Sequence, residues 1–505
     1  MRPIAPAAAA TVCAAVLLSG CADAGDQGEG DGSGRGKAAT RSLVAKSSGD
    51  FNGDGYDDFA TLVHPPTKSG SPQSPGLAVV YGSARGLDPG RRLVLDERSD
   101  HRQYEGPLLR ADLDGDGYTD LVTARLTFGK AGPPTPETVV LRGGRQGLAR
   151  PRTLSVAGVE AEAVGDFDGD GAADLLVPGR DGDDQAGPGR GRVLYGPFGD
   201  GGRTPARTAD FVADQHGYAA PASATTGDFD GDRRTDVVLT YSYDAEQDDT
   251  APPDLTPVAY YRGGARGLVR HQPPERHLAA LLGTQDGPTV PGAGDADHDG
   301  IDDLLAPGEG RSGQGHPDRS GRLTVVHGSK SGLGVGREDL SVDQSSPGVP
   351  GDPQFNDWFG TLPAVGDVND DGSPDLVVSS PGEDRYKGRV TLLPGSPGGG
   401  SDGGGEGDGG GEYDPERSKA EGDSGERAID LDTPGVPGSR DARGFRGFDS
   451  QPPLLDVDGD GHADLIAATP GDAYGGTQSF WVFRGSDDGL STDEVHRFTA
   501  ADLGL

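Results

Sequence analysis

An acidic stretch punctuated by glycine, "DFNGDGYDD" at Asp50, runs directly into an apolar segment, and the arrangement returns six more times before the chain ends. The copies are "DLDGDGYTDLV" at Asp112, "DFDGDGAADLLV" at Asp166, "DFDGDRRTDVVL" at Asp228, "DADHDGIDDLLA" at Asp295, "DVNDDGSPDLVV" at Asp367 and "DVDGDGHADLIA" at Asp456. Length alone, 505 residues, would suggest about three domains. A regular internal repeat overrides that estimate, because repeated units bury their apolar faces against one another.

Counting from the first aspartate, side-chain oxygens fall at positions 1, 3, 5 and 9, and glycine usually stands at 6. Position 1 is Asp50, Asp112, Asp166, Asp228, Asp295, Asp367 and Asp456; position 3 is Asn52, Asp114, Asp168, Asp230, Asp297, Asn369 and Asp458. Position 5 is Asp54, Asp116, Asp170, Asp232, Asp299, Asp371 and Asp460, and position 9 is Asp58, Asp120, Asp174, Asp236, Asp303, Asp375 and Asp464. The backbone carbonyl of position 7 can join them, from Tyr56, Tyr118, Ala172, Arg234, Ile301, Ser373 and His462. Short side chains at alternate positions of a tight loop converge, and an all-oxygen cage of six to eight flexible ligands suits Ca²⁺ better than Mg²⁺. Two carboxylates ~5 Å apart repel by roughly 3 kcal/mol at an effective dielectric of ~20, so without a cation each loop is expected to open. Up to seven Ca²⁺ are expected on this count of loops.

Asp-Gly pairs also make plain hairpin turns. A turn makes no demand for acid at position 9, which all seven copies carry. An EF-hand would need glutamate at position 12 and flanking helices; position 12 is Thr61 in the first copy and Val177 in the third. The runs after position 9, such as "LLV" and "VVL", are short and β-like. In the fourth loop Arg233 replaces the expected glycine beside Arg234, which predicts a strained left-handed backbone and the weakest site.

A second element follows each loop, among them "VVYGSARGL" at Val79, "VVHGSKSGL" at Val325 and "WVFRGSDDGL" at Trp481. It reads as a β-run ending in a glycine turn. Loop starts are 62, 54, 62, 67, 72 and 89 residues apart, room for four short strands each. The longest interval holds a Gly-rich insertion, residues 396–427, expected to be a disordered surface loop. The predicted class is all-β, a seven-bladed propeller with DxDxDGxxD calcium loops, since closure into a wheel removes sheet edges. The tail "VHRFTAADLGL" resembles the segment preceding a loop, so head and tail are expected to share one blade.

The sixth unit, "WFGTLPAVGDVNDDGSPDLVVSSPGEDRYKGRVTLLPGS", sets Phe359 and Gly360 before the acidic loop and "SSPGED" after it. It resembles the FG-GAP repeats of integrin α-subunit propellers and the VCBS-type repeats of bacterial surface proteins. The resemblance covers residues 41–505 and implies calcium loops on one face of a wheel and partner binding on the other.

With 82 acidic against 45 basic residues the net charge is −37. That argues against nucleic acid as a partner. The N-terminus "MRPIAPAAAATVCAAVLLSGC" has an apolar stretch from Ala7 to Leu18 and small residues before Cys21. It resembles a bacterial lipoprotein signal, residues 1–20, with Cys21 lipidated and residues 21–40 a flexible tether. An exported monomer anchored on the outer face of the membrane is the expected state.

Catalytic signals are weak. "GGSDG" at Gly399 lacks the strand and helix of a nucleophile elbow, and no helical pattern follows "GEGRSG" at Gly308. His298 and His462 are expected to point to solvent, and Trp358 and Trp481 to pack. A surface module binding a protein or glycan is favoured over a polysaccharide lyase or hydrolase that uses the propeller face.

Overall fold

The computed structural model describes residues 49–64, 75–97, 101–129, 134–178, 190–213, 219–243, 257–282, 290–310, 317–395, 428–438, 448, 454–469 and 477–505. The signal and tether, Cys21 included, and the 396–427 insertion lie outside the described residues. Among the described residues no helix is long and apolar enough to cross a membrane.

The described strands form seven antiparallel sheets, each built around one acidic loop. Blade two shows the pattern: Arg102–Ala111, then the loop, then Asp120–Thr127, Thr135–Leu141 and Arg152–Thr153 side by side. The first strands of successive blades touch, as Ala163–Gly165 does Ala219–Gly227, so these strands line the axis of the wheel. The first sheet shows three strands among the described residues, and the seventh three plus a bridge from Leu455 to Asp464.

Period-two alternation divides each strand between two cores. In Phe59–Val63, Phe59 and Val63 face blade seven while Ala60 and Leu62 face blade two. Leu175 packs toward blade two and Leu176 toward blade four. Seven buried clusters result, one at each junction of neighbouring blades, including that between the seventh and the first. This explains why the runs after position 9 are apolar throughout, because both faces of these strands are covered.

The tail does not join the first blade, where the sequence placed it with the head; the segment before the first loop lies outside the described residues. The tail strand His496–Thr499 pairs with Ser479–Phe483 and completes the seventh sheet itself. Its Phe498 is needed in the core between blades seven and one, which fixes it there. The wheel closes by contact instead: Asp57 N–H donates to the Asp456 carbonyl (2.9 Å) and Ser83 N–H to the Val457 carbonyl (3.2 Å).

The acidic loops as a candidate metal site

Each loop leads into the second strand of its blade, in blades two to six from a described first strand, and bonds between neighbouring loops set them on one face. The position-8 N–H of one loop donates to the position-1 carbonyl of the preceding loop, from Thr235 to Asp166 (2.8 Å), Asp302 to Asp228 (3.1 Å) and Ala463 to Asp367 (2.9 Å). The position-8 side chains of Asp57, Thr235 and Asp302 return the bond by accepting the position-1 N–H. Sequence inspection missed this latch because position 8 varies in residue type.

Within a loop the position-1 carboxylate gathers backbone donors. Asp112 accepts from Gly115 (2.8 Å), Asp116 (3.1 Å) and Gly117 (2.8 Å). In all seven loops the position-7 N–H donates to the position-5 carboxylate. This wrapping requires left-handed backbone at position 6, where Gly117 has φ 88°, and also at position 4, where Gly115 has φ 73°. Arg233 adopts φ 67° at position 6, as expected, and His298 and Asp370 are left-handed at position 4. Replacing Arg233 with glycine relieves about 1 kcal/mol of strain. The R233G protein is expected to unfold at higher denaturant concentration and to bind Ca²⁺ more tightly at that loop; an unchanged midpoint and affinity would refute this.

Position 9 does more than sequence suggested. All seven carboxylates accept an N–H from the glycine just after the third strand, from Gly82 to Asp58 (2.9 Å) through Gly485 to Asp464 (2.9 Å). Six also accept the position-2 N–H, and the fourth, Asp236, takes the Tyr260 hydroxyl (2.7 Å). That glycine is needed for close approach, since a Cβ on Gly143 would lie 2.2 Å from the Thr119 carbonyl oxygen. The recurring acid at 9 therefore has a structural role independent of any cation. Burial, aided by the other loop carboxylates, pushes Asp58, Asp120, Asp174, Asp375 and Asp464 up to about 7 and Asp236 to about 8. Asp303 is raised by burial too.

The predicted oxygens do converge. Positions 1, 3 and 9 bring Asp112, Asp114 and Asp120, and likewise Asp166, Asp168 and Asp174, within 4.8 Å of one another. Positions 1, 3 and 5 do so for Asp228, Asp230 and Asp232 and for Asp295, Asp297 and Asp299. A carboxylate oxygen that accepts one N–H keeps a lone pair. The donor set therefore fits a hard cation.

The structure also shows counter-charges that sequence reasoning omitted. A guanidinium contacts a position-3 or position-5 carboxylate in six loops: Arg91 with Asp54 (3.4 Å), Arg142 with Asp114 (2.7 Å), Arg207 with Asp168, Arg262 with Asp230 (3.3 Å), Arg337 with Asp297 and Arg484 with Asp458 (3.2 Å). Arg234, whose carbonyl is the seventh position of the fourth loop, turns its own side chain to Asp232 (2.6 Å). The expectation that a loop opens without a cation is thus too simple, because arginine offsets part of the repulsion. Among the described residues the sixth loop has only Asn369 Nδ2 donating to Asp371 (3.2 Å).

His298 is exposed as expected, but His462 bridges Asp460 (3.2 Å) and Asp487 (3.1 Å) instead of facing solvent. Trp481 packs as expected, 3% exposed, its Nε1–H donating to the Pro437 carbonyl. Trp358 is only half-buried, with φ 57° and Arg319 5.8 Å over its ring.

A family profile for the FG-GAP repeat matches residues 359–393 and 448–483, the sixth and seventh units. This chain carries FG-GAP repeats. The first match begins at Phe359, and the second begins at Phe448, a fully buried ring edge-on to Trp481 and Phe483. Integrin alpha pat-2 of Caenorhabditis elegans is 27% identical over 236 residues, 43% of this chain and 17% of the integrin. The phosphatidylinositol-glycan-specific phospholipase D of Rattus norvegicus is 36% identical over 113 residues, 21% of this chain and 13% of the enzyme. The matched part of this chain spans under a fifth of the length of these relatives. A rhamnogalacturonan lyase of Bacillus licheniformis superposes with TM-score 0.34 at 12% identity, covering 86% of this chain and 76% of the lyase.

Proposed function

We propose that this propeller is a calcium-stiffened module, lipid-anchored at the cell surface through Cys21, that binds a protein or glycan on the face opposite its acidic loops. The observation that carries the reading is an aromatic cluster at the loop-distal end of blades five and six. Strand register fixes that end: Gly366 pairs with Asp375 beside the sixth loop, whereas Thr361 pairs with Ser379 and Ser380 with Arg389 away from it. Just beyond lie Phe355, 63% exposed, Tyr386, 46% exposed, and Trp358 under Arg319.

These residues are held in costly conformations. Arg319, Asn356, Trp358, Asp384, Arg385 and Tyr386 all have positive φ, a state that costs L-residues about 1–2 kcal/mol each. Asn356 Nδ2 donates to the Tyr386 hydroxyl (3.4 Å), and Trp358 N–H donates to the Arg319 carbonyl (3.1 Å). Strained backbone that presents aromatic and arginine side chains to solvent supports a binding role, since these residue types dominate interface hot spots.

A glycan array and a pull-down from intact cells, run with the full chain and with a Phe355→Ala, Tyr386→Ala double variant, test this. Binding is expected to weaken at least about tenfold in the variant, with an unchanged melting temperature in Ca²⁺. Ligand capture equal in both proteins would place the site elsewhere. Release of cleaved sugar from the array would favour a polysaccharide-processing enzyme.

A further inference from the structure

We propose that the fifth loop is a mixed nitrogen and oxygen site that takes a first-row transition ion of the Zn²⁺ class in the presence of Ca²⁺, with His327 as the distinguishing ligand. The inference rests on the acidic loops being cation sites, and the six other loops of the chain serve as its controls.

The residue before the clamping glycine is the last of the third strand or the one just after it in every unit. It is Tyr81, Arg142, Tyr195, Arg262, His327, Pro394 and Arg484 in chain order. Where it is arginine, its guanidinium reaches the position-3 carboxylate of its own loop, Asp114, Asp230 or Asp458. The strand therefore aims this side chain at the loop's centre. In blade five the side chain so aimed is an imidazole.

His327 Nδ1 lies 3.3 Å from Asp297 Oδ2 and 3.5 Å from Asp303 Oδ1, and one donor atom from each of the three residues lies within 4.8 Å of the others. All three side chains are 2% exposed or less. In the ion-free protein the imidazole pairs with these two carboxylates, and both separations are at the long end of an N–H···O contact. They match the edge of a coordination tetrahedron, about 3.4 Å for bonds of about 2.1 Å. Calcium prefers oxygen at about 2.3–2.6 Å, whereas imidazole suits Zn²⁺ and its neighbours.

Arg337 contacts the same Asp297 oxygen. That oxygen has two lone pairs, so it can serve guanidinium and metal together. Ligation through Nδ1 requires the imidazole proton to sit on Nε2.

The test titrates Zn²⁺, and Co²⁺ as a coloured probe, into the full chain in millimolar CaCl₂. One equivalent is expected to bind, with visible absorption from the Co²⁺ form. His327→Tyr, which installs the residue of the first and third units, is expected to weaken this at least about tenfold, since losing a ligand should cost no less than losing its orienting partner. His327→Gln serves as a second variant should the tyrosine fail to fold. Calcium uptake by the all-oxygen loops is expected to be unchanged in either variant. Equal Zn²⁺ uptake by wild type and variants, or none by wild type, overturns the proposal. Absence of Ca²⁺ uptake by every protein would instead overturn the reading of the loops as calcium sites.

Discussion

Stripped of divalent ions on a chelating resin, the protein is expected to melt well below its calcium-loaded form at about pH 8, and this gap is expected to shrink at about pH 6. A ligand that binds only the folded state adds about 2.7 kcal/mol per site at 100 times its Kd. Several loops acting together would make this the largest perturbation available. Arginine does not remove the effect, because the guanidinium groups at a loop offset only part of the repulsion among its clustered carboxylates. Its contribution should be largest where no guanidinium is in contact, and among the described residues that is the sixth loop.

The pH dependence follows from the position-9 carboxylates. Burial raises Asp58, Asp120, Asp174, Asp375 and Asp464 from 3.8 to about 7 and Asp236 to about 8. A raised folded value means that the ion-free fold binds these protons more tightly than the unfolded chain does. The associated stability is fully present below about pH 4 and is lost as pH rises through about 7 to 8. Calcium favours the ionised form and reverses the trend. Ion-free protein that melts higher at pH 8 than at pH 6, or a melting temperature indifferent to calcium, would contradict the account.

The sequence was most informative where one residue type alone satisfies the geometry. Aspartate at positions 1 and 5 and glycine at 6 recur because the Asp112 type of cage needs a carboxylate and a left-handed turn at fixed spacing. The seven blades followed from that spacing and from the apolar runs, which the alternating cores of Phe59–Val63 account for. Position 9 was found for an incomplete reason, since Asp174 ties Phe167 and Gly196 whether or not an ion is present. The arginine partners stayed hidden because they come from two places, the end of the third strand in Arg142, Arg262 and Arg484, and ten or twelve residues further on in Arg91, Arg207 and Arg337. Only the fold shows that either place reaches the same carboxylates. Trp358 looked like a packing residue because nothing in its neighbours announces a positive φ.

Phe480→Ala is expected to destabilise the wheel by about 3–5 kcal/mol, the range for deleting a large buried ring. Phe480 is fully buried, 5.5 Å edge-on to Phe59 of blade one and stacked at 5.1 Å on Phe498 of the tail strand. Phe229→Ala, at the junction of blades four and five, should cost a similar amount but act differently. Blades four and five are consecutive in the chain, so a loosened junction there stays tethered. Blades seven and one are not consecutive in the chain, and among the described residues side-chain packing and bonds such as those from Asp57 and Ser83 hold them together. Hydrogen exchange is therefore expected to show Phe480→Ala exposing both end blades together, by opening the ring into a linear stack, while Phe229→Ala exposes its own two blades. Retained protection in blade one of the Phe480 variant, or a loss below about 1 kcal/mol, would mean that the ring is closed by something other than this aromatic seam.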